Sequence, residues 1–173
     1  MTGCSTKKEY GLLVKGGTVF DGSGSPGFDT DIAVASDRIA AVSPRIGERK
    51  AEKVIDAREV GAKLLAGLKE VEVEYPDVIV EARGRGLMIG IEIDVSHNIL
   101  AGKIFAFRCL EKGIFFGYIG DKQRVIRALP LLILSDNEAQ SIIEVVSDVA
   151  GEMHTGRLPQ STVEKVNTYA LGW

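Results

Sequence analysis

The hydrophobic pattern of this 173-residue chain changes its period near Arg58. Before that point, short apolar runs at 12–14 and 18–20 are bounded by glycines, which is typical of β-strands. From Gly61 onward, apolar residues recur at the spacing of an amphipathic helix, which is predicted to end before Pro76. The pattern therefore predicts a β-rich segment followed by a unit of helices and strands.

Composition limits the class of protein before any motif is considered. Apolar residues make up 45% of the chain and charged residues 26%, which is usual for soluble globular domains. The net charge of -3 argues against a nucleic-acid partner, because such a partner selects a basic face. No run approaches the ~18 apolar residues that span a bilayer. We therefore expect a cytoplasmic protein that binds neither nucleic acid nor a membrane.

The two cysteines do not indicate a disulfide framework. Cys109 falls on the apolar side of a predicted helix, so we expect a small buried side chain there. Residues 2–5, which include Cys4, resemble the end of a bacterial lipoprotein signal, but no apolar segment precedes them. We expect Cys4 to be a loose thiol in a disordered tail, residues 1–9.

Residues 10–58 have the signals of short antiparallel strands. The runs at 12–14 and 18–20 predict two separate strands, and the glycine-rich stretch 21–30 predicts a loop. Ser36 and Asp37 separate two apolar runs and predict a tight hairpin, and 52–56 predicts a further strand.

Residues 61–153 predict an α-β-α-β-β-α layer, so the fold class is α+β. The predicted elements are a helix from Gly61, a strand at 87–93, a helix at 99–111 that ends at Gly113, strands at 114–119 and 125–127, and a last helix after a capping box at 135–138. The buried faces of the last two helices are expected to contain Leu100, Ile104, Phe107 and Leu110, and Ile142, Val146, Val149 and Met153, respectively. In the tail, 154–173, a short helix could dock on the core or on a second subunit.

Four stretches of the first segment carry a family resemblance, at 12–22, 31–34, 38–42 and 54–57. Together they closely resemble the amino-terminal β-domain of amidohydrolases, especially the N-acyl-D-amino-acid deacylases. In that family a strand and a His-x-His pair follow, which begin a metal site. Here Arg58 is followed by residues without such a pair, so the resemblance implies no metal-binding or catalytic residue.

The second segment contains the string Arg-Gly-Arg-Gly-Leu-Met-Ile-Gly at 83–90, with further matching stretches at 67–68, 109–113 and 125–130. These resemble the carboxyl-terminal small domain of class III aminotransferases, which act on acetylornithine, ornithine and 4-aminobutyrate. In that family the large domain carries the lysine, the acidic residue and the phosphate cup that hold pyridoxal phosphate. The resemblance therefore implies no cofactor here, and pyridoxal phosphate only with a large domain supplied in trans.

Arg127 is the residue onto which this second resemblance carries a role. Its counterpart in class III aminotransferases pairs with the α-carboxylate of the substrate, which suits a planar guanidinium. The alternative interpretation is a strand-end arginine in a surface ion pair. No residue is assigned a catalytic role.

Three glycines and two histidines have interpretations that need no chemistry. Gly84, Gly86 and Gly90 precede and interrupt a strand, so close packing and a turn are expected rather than a phosphate loop. His97 and His154 stand in different segments, which argues against a zinc site.

The aspartates likewise predict local structure. Asp94 and His97 are close enough to form a local pair. Side-chain bonds to backbone groups at turns and strand ends are expected for Asp21, Asp29, Asp31, Asp37 and Asp56. No nucleophile-elbow string supports a Ser-His-Asp arrangement.

The two resemblances lead to one main functional hypothesis and two alternatives. Each segment is only part of a domain in its family, so each brings an open strand edge or an apolar face. We expect the amino-terminal strands to cover or extend the α+β layer, or two chains to pair as a homodimer. The main hypothesis is a non-catalytic fusion with a binding or interaction role. The alternatives are a class III aminotransferase fragment that needs a large domain in trans, and an N-acyl amino-acid hydrolase with a new site.

Overall fold

Two four-stranded sheets and four α-helices form the part of the chain that the structure describes, which is residues 8–120, 123–131 and 133–170 of a computed structural model. The predicted α+β class is therefore confirmed. No helix in these ranges is long and apolar enough to cross a membrane. Cys4 and most of the predicted disordered tail lie outside the described residues.

The first sheet is formed by the residues of the first segment. Its strands are β1 (Tyr10–Val19), β2 (Phe28–Ala35), β3 (Arg38–Ser43) and β4 (Ala51–Asp56). They lie in the order β3-β2-β1-β4, and β4 runs parallel to β1. The prediction of antiparallel strands is wrong for β4. The connection from β3 crosses to the opposite edge of the sheet, so the chain returns in the direction of β1.

Strand β1 is continuous, and the prediction of two short strands is wrong. The pairing of β1 with β2 shifts register between Val14 and Gly17, and Gly16 has a φ of +64°. Glycine adopts this left-handed conformation without strain, so the two glycines bend one strand instead of separating two. The predicted loop at 21–30 is also too long, because β2 begins at Phe28.

The hairpin predicted at Ser36 and Asp37 is confirmed. Both residues have positive φ, 49° and 61°, and they connect β2 directly to β3. Two positive φ angles define the turn that matches the twist of a two-residue hairpin, and aspartate tolerates this conformation better than most residues.

Helix α1 (Ala57–Glu74) follows β4 without a linker and begins earlier than the predicted start at Gly61. The Asp56 carboxylate caps it by accepting hydrogen bonds from the backbone N–H groups of Arg58 and Glu59, each at 3.1 Å. The change of pattern near Arg58 therefore falls in the first turn of a helix.

Helix α1 contacts both halves of the chain. Arg58 forms an ion pair with Asp29 of β2, and Lys63 lies 3.0 Å from Asp136 near the carboxyl-terminal helices. The helix packs against β1 on one side and against the second sheet on the other. Among the described residues, no strand of one sheet pairs with a strand of the other, so the amino-terminal strands do not extend the second sheet.

The second sheet is antiparallel and contains one strand that the sequence did not predict. Its strands are β5 (Ile79–Arg85), β6 (Met88–Ile93), β7 (Gly117–Ile119) and β8 (Val125–Ala128), in the order β5-β6-β8-β7. The observed order α-β-β-α-β-β-α replaces the predicted α-β-α-β-β-α. Strand β5 was missed because its charged residues and a register shift hide the alternation, and it buries only Ile79 and Ala82.

Three further helices follow, α2 (Ala101–Glu111), α3 (Asp136–His154) and α4 (Gln160–Ala170). Helix α2 packs against the second sheet, α3 against α1 and α2, and α4 against α2. The capping box at Ser135 and Glu138 is confirmed, and Ile142, Val146 and Val149 of α3 are buried as predicted. The α2 prediction is partly wrong. Phe105 is fully buried, whereas Leu110 is 45% exposed. The helix turns the face that carries Cys109 inward, and the burial of Cys109 is confirmed.

The predicted helix in the tail is α4, and it docks on the core through a charged network. Thr162 is fully buried and donates a hydrogen bond of 2.6 Å to Glu111. Arg108 binds Glu152 of α3 through two nitrogens, at 2.7 and 3.0 Å, and also contacts Glu111 at 3.1 Å. The network ties α2, α3 and α4 together.

Replacing Gly61 with alanine is expected to destabilise the fold. Alanine in place of glycine normally stabilises a helix by about 1 kcal/mol. Here the new Cβ would overlap the backbone carbonyl of Gly86, so we expect a loss of about 1–3 kcal/mol instead. Urea unfolding measures whether the free energy of unfolding falls or rises in the variant. Gly67→Ala is the matched control in the same helix. Its Cβ would meet the Ile143 side chain, which can move, instead of a backbone, so it should cost less. A stabilised Gly61→Ala variant would contradict the packing of α1 on Gly86.

The Glu111 network predicts a defined loss of stability in acid. The hydrogen bond from Thr162, followed by those from Lys165 and Arg108, lowers the pKa of Glu111 from 4.5 to about 2. The stabilisation is therefore complete above the unfolded-state pKa and is lost as the pH falls towards 2. Between about pH 5 and pH 2, wild type should lose roughly 1–3 kcal/mol more unfolding free energy than Glu111→Gln. Chemical denaturation at each pH tests this, with the exposed Glu70→Gln as control; equal losses in wild type and Glu111→Gln would refute it.

Candidate functional site

The central strand β6 gives the second sheet one buried face and one open face. Ile89, Ile91 and Ile93 are fully buried, whereas the alternate residues Gly90 and Glu92 point to the other side. Directly paired residues in neighbouring strands share a face, so the pairing register determines which side chains meet on the open side.

Residues that pair directly across the four strands form a row, and one such row of the open face contains Arg127. In the register of the sheet, Arg83 of β5 pairs with Gly90 of β6, Gly90 pairs with Arg127 of β8, and Arg127 pairs with Gly117 of β7. The row therefore alternates arginine and glycine across four strands. The Cα atoms of the two arginines are two strand spacings apart, about 10 Å.

Arg83 is neutralised by acidic neighbours. Its guanidinium lies 2.6 Å from a Glu81 oxygen and 2.9 Å from a Glu92 oxygen. The other oxygen of Glu92 lies 3.1 Å from Arg124. The hydrogen bond that Arg83 donates to Glu92 and the charge of Glu81 raise the pKa of Arg83. Glu92, which is only 13% exposed, thus holds two arginines in place.

Arg127 is exposed, and no carboxylate of the described residues lies within ion-pair distance of it. An exposed guanidinium can bind a carboxylate through two parallel N–H donors. The surface ion pair considered as the alternative is not seen within the described ranges. The substrate-binding role of Arg127 stays a prediction.

The three glycines of the 83–90 string have different roles. A Cβ at Gly84 would overlap the carbonyl oxygen of Met88, and Gly86 has a φ of +58° in the turn between β5 and β6. Close packing and a turn therefore explain these two, as predicted. Gly90 is less constrained, because the nearest atom to its Cβ would be Val125 Cγ1, at 3.3 Å.

The histidines lie in separate local structures. His154 Nδ1 lies 2.9 Å from both carboxylate oxygens of Asp77. Asp94 accepts hydrogen bonds from Ser96, through its backbone N–H and its hydroxyl, so its hydrogen-bonding partner is Ser96 rather than His97. Within the described ranges, no group of three or more His, Cys, Asp or Glu side chains is arranged to hold a metal.

Most of the singled-out aspartates bond to backbone groups, as predicted. Asp21 accepts from the N–H of Ser23, and Asp56 caps α1. Asp31 is buried and accepts from the N–H groups of Gly16 and Ile46, at 3.1 and 2.9 Å. Asp29 differs, because it bonds to the Thr18 hydroxyl and the Arg58 guanidinium. Strand pairing across β1 and β2 brings Thr18 opposite it.

A shallow groove of about 1000 Å³ lies beside the first sheet. Its charges are mixed: Lys15 bonds to Glu48, and both oxygens of Asp31 are occupied by backbone donors. The groove carries side chains of both charges, including Arg45 and Arg49, whereas the row with Arg127 sets one exposed arginine between two strand glycines. The row is therefore the stronger candidate site.

Comparison with known proteins gives the family. A family model described as "Aminotransferase class-III" matches residues 38–150, which is more than half of the chain. The chain therefore belongs to the class III aminotransferase family. The resemblance of the second segment is confirmed.

Two curated relatives illustrate the match. Acetylornithine aminotransferase 1 of Bordetella pertussis is 44% identical over 91 residues, which cover 53% of this chain and 21% of that protein. The alanine/serine racemase of Pyrococcus horikoshii is 33% identical over 113 residues, or 62% of this chain and 23% of that protein. The chain thus spans about a fifth of the length of the curated relatives it matches.

Solved structures show the same fold over a similar share of this chain. Plasmodium falciparum ornithine δ-aminotransferase matches with a TM-score of 0.50 and 21% identity, over 57% of this chain and 24% of that one. Acetylornithine aminotransferase from Elizabethkingia anophelis matches with a TM-score of 0.50 and 18% identity, over 56% and 24%. At these identities the likeness shows the fold alone.

Nothing in these comparisons indicates an amidohydrolase or D-aminoacylase domain. The resemblance of residues 10–58 to deacylases therefore has no support beyond its sequence stretches. The findings favour the aminotransferase-fragment alternative over the main hypothesis of a non-catalytic fusion of two families.

Two half-buried lysines are poorly suited to bind pyridoxal phosphate, the cofactor that the homologous class III aminotransferases use. A lysine that binds this aldehyde must reach the neutral amine form. The half-buried Lys15 and Lys112 are instead held by carboxylates, Glu48 for the first and Glu152 and Asp148 for the second, and these contacts raise the pKa of each. That the cofactor site belongs to a large domain stays a prediction of the resemblance.

Proposed function

We propose that this chain contributes the carboxyl-terminal small domain of a class III aminotransferase, in which Arg127 binds the carboxylate of the amino-acid substrate. A cofactor-binding large domain supplied in trans would complete the enzyme. The observation that carries the proposal is the position of Arg127. It stands on the open face of the sheet that belongs to the matched region, between two glycines.

The charge distribution on that face supports the same assignment. Glu81 and Glu92 occupy Arg83, and Glu92 also occupies Arg124. A substrate carboxylate at Arg83 would have to compete with two anions already in contact, whereas the described residues place none at Arg127. Strand β8 would position the backbone of Arg127 beside the bound substrate.

The large domain would bring pyridoxal phosphate, which supplies the electron sink for amino-group transfer. The residues described here would bind and orient the carboxylate and contribute no group that reacts. A homodimer, as predicted from the sequence, is compatible with this role and remains a proposal of its own.

A complementation experiment tests the proposal. The Bordetella pertussis acetylornithine aminotransferase, truncated to remove the segment that this chain matches, should be inactive alone. Adding or co-expressing this chain should restore amino transfer from N-acetylornithine. Arg127→Ala should then lower kcat/KM on the order of 100-fold, because it removes one partner of a charged hydrogen-bonded pair.

The matched control is Arg38→Ala, because Arg38 is also an exposed arginine at a strand end but belongs to the first sheet. It should leave the restored activity unchanged. A complex that forms, as judged by gel filtration, but shows no activity would sink the aminotransferase proposal and favour a binding role. Equal losses in both arginine variants would remove Arg127 from the site.

A further inference from the structure

Gly117 is a glycine that neither its backbone nor its packing requires. Its φ lies outside the left-handed region, so other residues can adopt its conformation. A Cβ built at this position meets no described heavy atom within 4 Å. The position differs in this from Gly84, where a Cβ would overlap the backbone, and from Gly86, where a positive φ disfavours a side chain.

A glycine within a strand has a thermodynamic cost. It loses more conformational freedom on folding than any other residue, which is worth about 0.5–1 kcal/mol relative to alanine. In strands, glycine often marks a place where a ligand or another backbone approaches closely. Gly117 lies directly opposite Arg127 in the pairing of β7 with β8, so the open space adjoins the guanidinium-bearing residue.

Gly90 leaves the other side of Arg127 open as well. It pairs with Arg127 from β6, and a Cβ there would be only mildly crowded, at 3.3 Å from Val125 Cγ1. Both strands next to Arg127 therefore present bare backbone on the open face. Beyond Gly90, the row ends in Arg83, which Glu81 and Glu92 hold.

We infer that Gly117 is a specificity-determining residue, which together with Gly90 keeps the space beside Arg127 clear for a carboxylate whose α-carbon is branched. This rests on the proposed role of Arg127. An α-amino acid carries an amino group and a side chain on the carbon next to its carboxylate. Such a ligand needs lateral room when the carboxylate lies flat against a guanidinium, and a side chain at position 117 would fill that room.

The test compares how tightly the full chain binds a small and a bulky carboxylic acid. Acetate and pivalate carry the same charge, but pivalate has three methyl groups on its α-carbon. Each is titrated into wild type and Gly117→Val, and the shift of the Arg127 Nε–Hε signal in NMR gives the dissociation constant. Gly117→Val should weaken pivalate binding about tenfold and acetate binding much less, because only the bulky acid meets the new side chain.

Gly17→Val is the matched control. Gly17 is also a strand glycine with ordinary φ and no neighbour within 4 Å of a built Cβ, but it lies in β1 of the first sheet. Both valine variants should keep or raise the melting temperature, because valine favours strands. Only Gly117→Val should weaken the binding of pivalate more than that of acetate.

The outcomes distinguish this inference from the proposed function. If Gly117→Val binds both acids as wild type does, or weakens both equally, Gly117 does not determine specificity. If wild type shows no saturable shift at Arg127 with either acid, the inference also fails. If the size-dependent effect is present but complementation of the truncated aminotransferase fails, only the proposed function is lost.

Discussion

The structure depends most on strand β6, whose side chains alternate between the buried face and the open face of the second sheet. Ile89, Ile91 and Ile93 are fully buried and join the largest apolar cluster of the described chain. A shift of one residue in the pairing of β6 would turn these side chains to solvent, so the core fixes the register. The same register then places Gly90 and Glu92 on the opposite face. The arrangement of the candidate site is thus a consequence of core packing.

Helix α1 explains how a chain with two hydrophobic patterns folds without a linker between them. The Asp56 carboxylate ends β4 and caps the helix, and Arg58 returns to Asp29 in the first sheet. One turn later, Gly61 packs against the backbone of Gly86 in the turn between β5 and β6. A change of period in a sequence therefore marks a change of element and is not by itself a break between independently packed units.

The sequence predicted the parts of the fold that local chemistry determines. The Ser36–Asp37 hairpin and the capping box of α3 follow from residues that are neighbours in sequence. The prediction was wrong where contacts between residues far apart in sequence determine the structure. Strand β5 and the inward face of α2 depend on what packs against them, and the parallel pairing of β4 depends on where its connection crosses the sheet. Arg127 was recognised through its motif, but Arg83, Glu92 and Gly117 become its neighbours only through strand pairing.

The distribution of charge on the open face decides which arginine can act as a receptor. Glu92 is mostly buried, so its interaction with Arg83 and Arg124 is less screened than that of an exposed pair. An incoming carboxylate at Arg83 would face the repulsion of Glu81 and Glu92 and would gain little. At Arg127 the strand neighbours are glycines, which bring neither charge nor bulk. In the proposed function, the acidic residues of the sheet therefore favour binding at Arg127 by occupying the competing cations, while the glycines leave it accessible.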